Sequence, residues 1–125
     1  ILSYYRNTFS DYSFDEDDLR EIIKKESIML LEKVPKDSYL ISWDSSGKQV
    51  SSADFANLIR HRIQTNKSVC FLIGGSHGFS EEIKQKSDMV LSASLLTFPH
   101  KLFRLILVEQ IYRAHTILAN MPYHK

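Results

Sequence analysis

The sequence is short of the residues that most often announce a function. It has one cysteine in 125 residues, so no internal disulfide is available and no cysteine cluster can hold a metal. That residue, Cys70, lies in the apolar run Val69-Cys70-Phe71-Leu72-Ile73 and reads as a small buried hydrophobe, which fits a reduced, cytoplasmic setting. The five histidines, His61, His77, His100, His115 and His124, form no H-x-x-x-H pair, and no metal centre is expected. There is no G-x-G-x-x-G, no glycine loop followed by Lys-Ser or Lys-Thr, and no G-x-S-x-G elbow, which removes the usual dinucleotide, phosphate-loop and hydrolase signatures. Apolar runs such as Leu105 to Val108 are far too short to cross a bilayer, so no membrane partner is expected.

What remains is the balance of a globular protein, 43% hydrophobic and 25% charged, at a length that fits one domain over residues 1–125. The net charge of +1 hides an uneven distribution. Asp11, Asp15, Glu16, Asp17, Asp18 and Glu21 cluster near the start against Arg20 alone, whereas from His100 onward Lys101, Arg104, Arg113 and Lys125 face only Glu109. Either the basic end meets a polyanion or the two ends are merely solvated faces of opposite sign.

Apolar spacing places a helix from Ser13 or Asp15 to about Lys33, stopped by Pro35, then a buried strand from Tyr39 to Trp43 and a turn over Asp44 to Lys48. A second helix, Ala53 to about Gln64, is capped by Ser51 or Ser52 and buries Phe55, Leu58, Ile59 and Ile63. The strand Val69 to Ile73 follows, then a glycine loop, a short helix from Ser80 to Lys86, a brief strand Met89 to Leu91, a loop over Ser92 to Pro99, and a helix from His100 to about Asn120. This alternation is that of an α/β fold with a mostly parallel sheet and covering helices. Residues 1–12 show no clean period. The last helix carries apolar side chains on most of its circumference, which calls for either a second copy of the chain or a central place within one monomer.

All four glycines lie after apolar runs, Gly47 beyond Trp43, and Gly74, Gly75 and Gly78 beyond Ile73. In open α/β sheets, ligands dock beyond the carboxyl ends of strands, and a missing Cβ lets them approach the backbone. Tight strand-to-helix packing explains such glycines equally well.

The strings Phe71-Leu72-Ile73-Gly74-Gly75-Ser76-His77-Gly78, Leu96-Thr97-Phe98-Pro99-His100, Glu109-Gln110-Ile111-Tyr112-Arg113-Ala114 and the terminal Tyr123-His124-Lys125 together resemble the bacterial ribosomal RNA large-subunit methyltransferase H family of the SPOUT superfamily. The resemblance runs from about Tyr39 to Lys125. It implies a SPOUT-type α/β domain with a C-terminal trefoil knot, a homodimer, and S-adenosylmethionine-dependent methylation of N3 of a pseudouridine in 23S ribosomal RNA. By position it assigns the cofactor to Trp43, to Gly74 and to Ala93, Ser94, Leu95, Leu96, Thr97 and Phe98. Arg113, His100, Tyr123, His124 and Lys125 are then the candidates to stabilise the deprotonated base and hold RNA phosphates, with His124 a candidate proton acceptor and the acceptor's identity left open. A charge of only +1 favours the assembled ribosome over naked RNA as substrate. Two features depart from the family: Trp43 replaces the usual aliphatic residue, and the family's opening strand and helix have no recognisable counterpart. A non-catalytic ribosome-binding module that keeps the fold is the alternative.

Overall fold

The computed structural model describes residues 2–3, 16–74 and 78–125. Its elements are β1 (Leu2–Ser3), α1 (Glu16–Lys33), β2 (Tyr39–Gln49), α2 (Ser52–Gln64), β3 (Val69–Ile73), α3 (Glu81–Lys86), β4 (Met89–Ser92) and α4 (His100–Leu118). The helices and strands expected from the periodicity are present, and β1 adds a short edge in the stretch that showed no period. Ser13 and Asp15, expected as caps of α1, lie outside the described residues, as do Gly75, Ser76 and His77.

The sheet order is β1-β3-β2-β4 and every recorded pairing is parallel. Alternation along β2 and β3 divides the core in two. Ile41, Trp43, Phe71 and Ile73 join Leu91 of β4 beneath Phe55, Ala56 and Ile59 of α2 and Leu107 and Ala114 of α4. Leu40, Cys70 and Leu72 face the other way, against Leu30 of α1, Ile83 of α3 and Phe79 of the loop before α3. The result is a three-layer α/β domain with its sheet covered on both sides. Cys70 is buried, and burial pushes its thiol pKa up, so it is an inert core residue.

Local chemistry fixes the helix starts. The Ser51 side chain accepts from Asp54 N and the Ser80 side chain from Ile83 N, each satisfying an otherwise orphaned N–H. At the far end of α4, Asn120 closes the helix in a left-handed conformation with φ 54°.

β2 runs further than its apolar pattern indicates. Trp43 and Lys48 both pair with Leu91, so Asp44 to Gly47 form an excursion within a continuous strand. Gly47 makes this possible: a Cβ there would lie 2.6 Å from the Leu91 carbonyl carbon, closer than any side chain tolerates. The excursion carries Asp44 to Ser46 to the sheet's carboxyl edge, beside the loops that follow β3 and β4.

Candidate active site

Those three loops enclose a cleft of about 1020 Å³ at the carboxyl ends of the strands. Trp43, Gly74, Ala93, Ser94, Leu96, Thr97, Phe98 and His100 all line it, so the structure brings together most of the positions expected to hold a cofactor. Leu95 is the exception. It stands outside the cleft wall, 81% exposed. The wall is rigid on the Trp43 side, where the indole meets Phe55 edge-on at 5.6 Å and Phe103 at 5.8 Å. On the opposite side the 92–98 loop folds on itself: the Ser92 hydroxyl donates to Ser94 O at 2.9 Å, and Leu96 N donates to the Ser94 hydroxyl at 2.9 Å. At Gly74 an added Cβ would meet the Phe79 ring at 3.4 Å, ordinary contact, so among the described residues no neighbour demands glycine there. The absent side chain instead leaves backbone open to a ligand. His100 Nδ1 sits 3.3 Å from the Gly74 carbonyl; since that oxygen only accepts, Nδ1 donates, tying the start of α4 to the glycine loop.

Asp44 organises the floor, a role its place in a polar turn does not reveal. Its carboxylate is 8% exposed and accepts from Ser46 N at 3.0 Å, from the Ser46 hydroxyl and from Phe79 N at 3.4 Å, with Lys84 Nζ at 3.5 Å. It thereby joins the loop after Trp43 to the loop after β3 and to α3. Gly78, at φ 76°, passes so close that a Cβ would lie 3.0 Å from Asp44 Oδ1. Burial pushes the Asp44 pKa up, but the Ser46 hydroxyl and N–H, the Lys84 ammonium and the Phe79 N–H outweigh it and hold the carboxyl below its usual value of 3.8. A lowered folded-state pKa stabilises the fold above the unfolded value and loses that contribution as pH falls. Asp44→Ala is therefore expected to cost about 1–3 kcal/mol by chemical denaturation at neutral pH, through the unsatisfied donors it leaves. The stability gap between the native protein and Asp44→Asn should be full above pH 3.8 and close as pH drops through the lowered value. A gap independent of pH would contradict this account of Asp44.

The remaining candidates gather elsewhere. Arg113 donates from Nε at 3.0 Å and from Nη2 at 2.6 Å to Glu109 Oε1, and the Tyr123 hydroxyl donates to the same oxygen at 3.1 Å. Arg113 Nη1 lies 3.1 Å from His124 Nδ1, and the Tyr123 ring packs 4.9 Å from the guanidinium and edge-on to Tyr112 at 5.0 Å. The Arg113 hydrogen bonds hold the Glu109 carboxyl below its ordinary pKa, and the same carboxylate raises those of Arg113 and Tyr123. Gln110 Nε2 donates to Glu109 Oε2 at 3.0 Å and its Oε1 accepts from Ser52, anchoring the cluster to α2. The Arg113–Glu109 pair has the i, i+4 spacing of neighbours on one helix face, whereas the convergence of the tail on Glu109 has no local signal. Lys125 is exposed. Along α4, Arg113 lies 13 residues beyond His100, a rise of roughly 20 Å, so within one chain this cluster and the cleft are separate.

Among the described residues no helix is long and apolar enough to cross a membrane, and no group of three His, Cys, Asp or Glu side chains could hold a metal.

A parallel sheet with a cleft built by three loops at its carboxyl edge is the architecture of an α/β domain whose strand ends are open to a small molecule. Residues 5–124 match the family described as "Predicted SPOUT methyltransferase", and the chain belongs to that family: it is a methyltransferase. Among curated proteins it is 50% identical over 105 residues to the ribosomal RNA large subunit methyltransferase H of Acholeplasma laidlawii, covering 82% of this chain and 71% of that one. The protein of the same name from Caldicellulosiruptor saccharolyticus is 39% identical over 114 residues, covering 89% and 74%. That from Clostridium botulinum (strain 657 / Type Ba4) is 44% identical over 105 residues, covering 83% and 66%.

Proposed function

We propose that the chain methylates N3 of a pseudouridine in large-subunit ribosomal RNA, using S-adenosylmethionine, as a homodimer acting on the assembled particle in the cytoplasm. The domain is read as one unit over residues 1–125, with the segment from Ser92 onward forming a trefoil knot around the cleft. The names of its relatives and the cleft carry this reading together.

The cleft suits the cofactor chemically. An adenosyl group and a methionyl chain need an apolar slot edged by backbone polar groups, and Trp43, Leu96, Phe98 and the open backbone at Gly74 supply both. Trp43, Gly74, Ala93, Ser94, Leu96, Thr97 and Phe98 would hold it, whereas Leu95 lies outside the cleft lining. When bound, it supplies a methyl group on a sulfonium, open to in-line attack. The chain's own task is to align the base and stabilise it without its imide proton. Arg113 provides a cation for the developing anion, Tyr123 and Glu109 hold that cation in place, and Lys125 contacts phosphate. His100 fixes the glycine loop at the cleft's mouth.

Cleft and cluster lie too far apart in one chain to share a substrate atom. A second copy resolves the separation. Leu102, Leu105, Val108 and Tyr112 form a stripe on α4 that is 44–66% exposed and offers an apolar face for that copy. Docked there, one protomer's tail reaches the other's cleft. The reading is tested by titrating the protein with S-adenosylmethionine while following fluorescence of Trp43, the chain's one tryptophan. Saturable binding at micromolar concentration is expected, weakened by Gly74→Val, whose side chain fills the slot. No binding at millimolar cofactor would favour a non-catalytic ribosome-binding module.

A further inference from the structure

The hydrogen bond between Arg113 and His124 decides which nitrogen of His124 carries a proton. An arginine guanidinium has five N–H donors and no acceptor, so His124 Nδ1, at 3.1 Å from Arg113 Nη1, must accept. A neutral imidazole bears one N–H, and here it falls on Nε2. The guanidinium does not swing freely out of this arrangement. Its Nε and Nη2 are both bonded to Glu109 Oε1, and its face lies over the Tyr123 ring, itself braced by Tyr112. Protonating Nδ1 would set two donors against each other across that contact. The lone pair a general base would use is therefore occupied, and the exposed edge of His124 presents a donor.

Resting on the methylation reading above, we infer that His124 acts through Nε2–H as a hydrogen-bond donor to a carbonyl oxygen of the target pyrimidine, and that it is not the proton acceptor. The chemistry of the base gives this meaning. A pyrimidine imide nitrogen is flanked by two carbonyl groups, and once its proton has gone to solvent the negative charge is delocalised onto both oxygens. A donor placed on either oxygen stabilises the anion and lowers the imide pKa, which is the electrostatic service an oxyanion hole performs. The same donor selects a base with a carbonyl at that position over one with an amino group, so it also contributes specificity.

Amide substitutions separate the two roles, because a glutamine side chain sets an N–H donor near the Nε2 position and an asparagine side chain sets its polar atoms near Nδ1. With methyl transfer from labelled S-adenosylmethionine to large ribosomal particles as the assay, His124→Gln is expected to stay within about tenfold of the native rate. His124→Asn is expected to fall by about 100-fold, the usual cost of one transition-state donor. Equal loss in both variants, or greater activity in His124→Asn, overturns the inference. Long-range nitrogen–proton NMR of the unmodified protein, with the His124 signal identified by its absence in His124→Gln, gives a second readout that needs no catalysis. An unprotonated Nδ1 whose shift moves in Arg113→Met supports the assignment, and a protonated Nδ1, or no movement, overturns it. Were the native protein to transfer no methyl group at all, the functional reading would fail while the NMR result still judged the tautomer.

Discussion

Arg113→Ala lowers methyl transfer to large ribosomal particles by about 10²–10³-fold and leaves S-adenosylmethionine affinity within a few-fold of native, because the lost guanidinium acts on charge that develops only during reaction. Position argues for the second half of this expectation. Arg113 lies roughly 20 Å along α4 from the cleft-lining His100, and it is not among the residues that line its own chain's cleft. Removing Tyr123 to Lys125 should act in the same direction, since Tyr123 and Arg113 share Glu109 Oε1. A parallel loss of cofactor binding in Arg113→Ala, seen by the Trp43 titration, would mean that the cluster supports the fold. Unchanged transfer would remove Arg113 from the reaction.

Leu105→Glu is expected to convert a dimer into a species of 14.5 kDa and to reduce methyl transfer by at least about 100-fold, with little change in the unfolding midpoint. Leu105 is 66% exposed at the centre of the α4 stripe, so within one chain a glutamate there stays in water and costs little. Between two copies the same carboxylate would be buried without a partner, which an apolar interface does not tolerate. Sedimentation and denaturation together separate the effects. A native protein that sediments as a monomer, or a Leu105→Glu variant that stays dimeric and active, would contradict the shared-site arrangement. Mixing Arg113→Ala with Gly74→Val offers a complementary check, because a heterodimer holds one intact cleft opposite one intact tail and should regain activity that neither variant has alone.

Much of this architecture is legible in the chain. The unbroken apolar run of β3 and the serines ahead of α2 and α3 are local signals, and those three elements follow from them. Two of the glycines, Gly74 and Gly78, line the cleft beyond the strand ends. What local pattern could not reveal is pairing at long range. β2 resumes after Gly47 because Leu91 of β4 lies against it, and nothing within residues 39–49 specifies that neighbour. Asp44 looked like a turn residue and is a buried link between loops, a distinction fixed by Phe79 and Lys84 far along the chain. Leu95, grouped by sequence with its cleft-lining neighbours, is exposed outside the cleft, and nothing in its local pattern sets it apart from Leu96. The histidines show the same limit. His100 donates from Nδ1 to Gly74, whereas His124 accepts at Nδ1 from Arg113, and only the partners tell the two apart.

Mass spectrometry of ribosomal RNA reads the proposed methyl transfer directly. Large ribosomal particles lacking the modification are incubated with the protein and isotopically labelled S-adenosylmethionine, and the digested RNA is searched for the labelled methyl group. One labelled methyl on N3 of a single pseudouridine, absent with Arg113→Ala, is the predicted result. Label on another nucleotide, or no label in particles that a known methyltransferase of this family modifies, would contradict it.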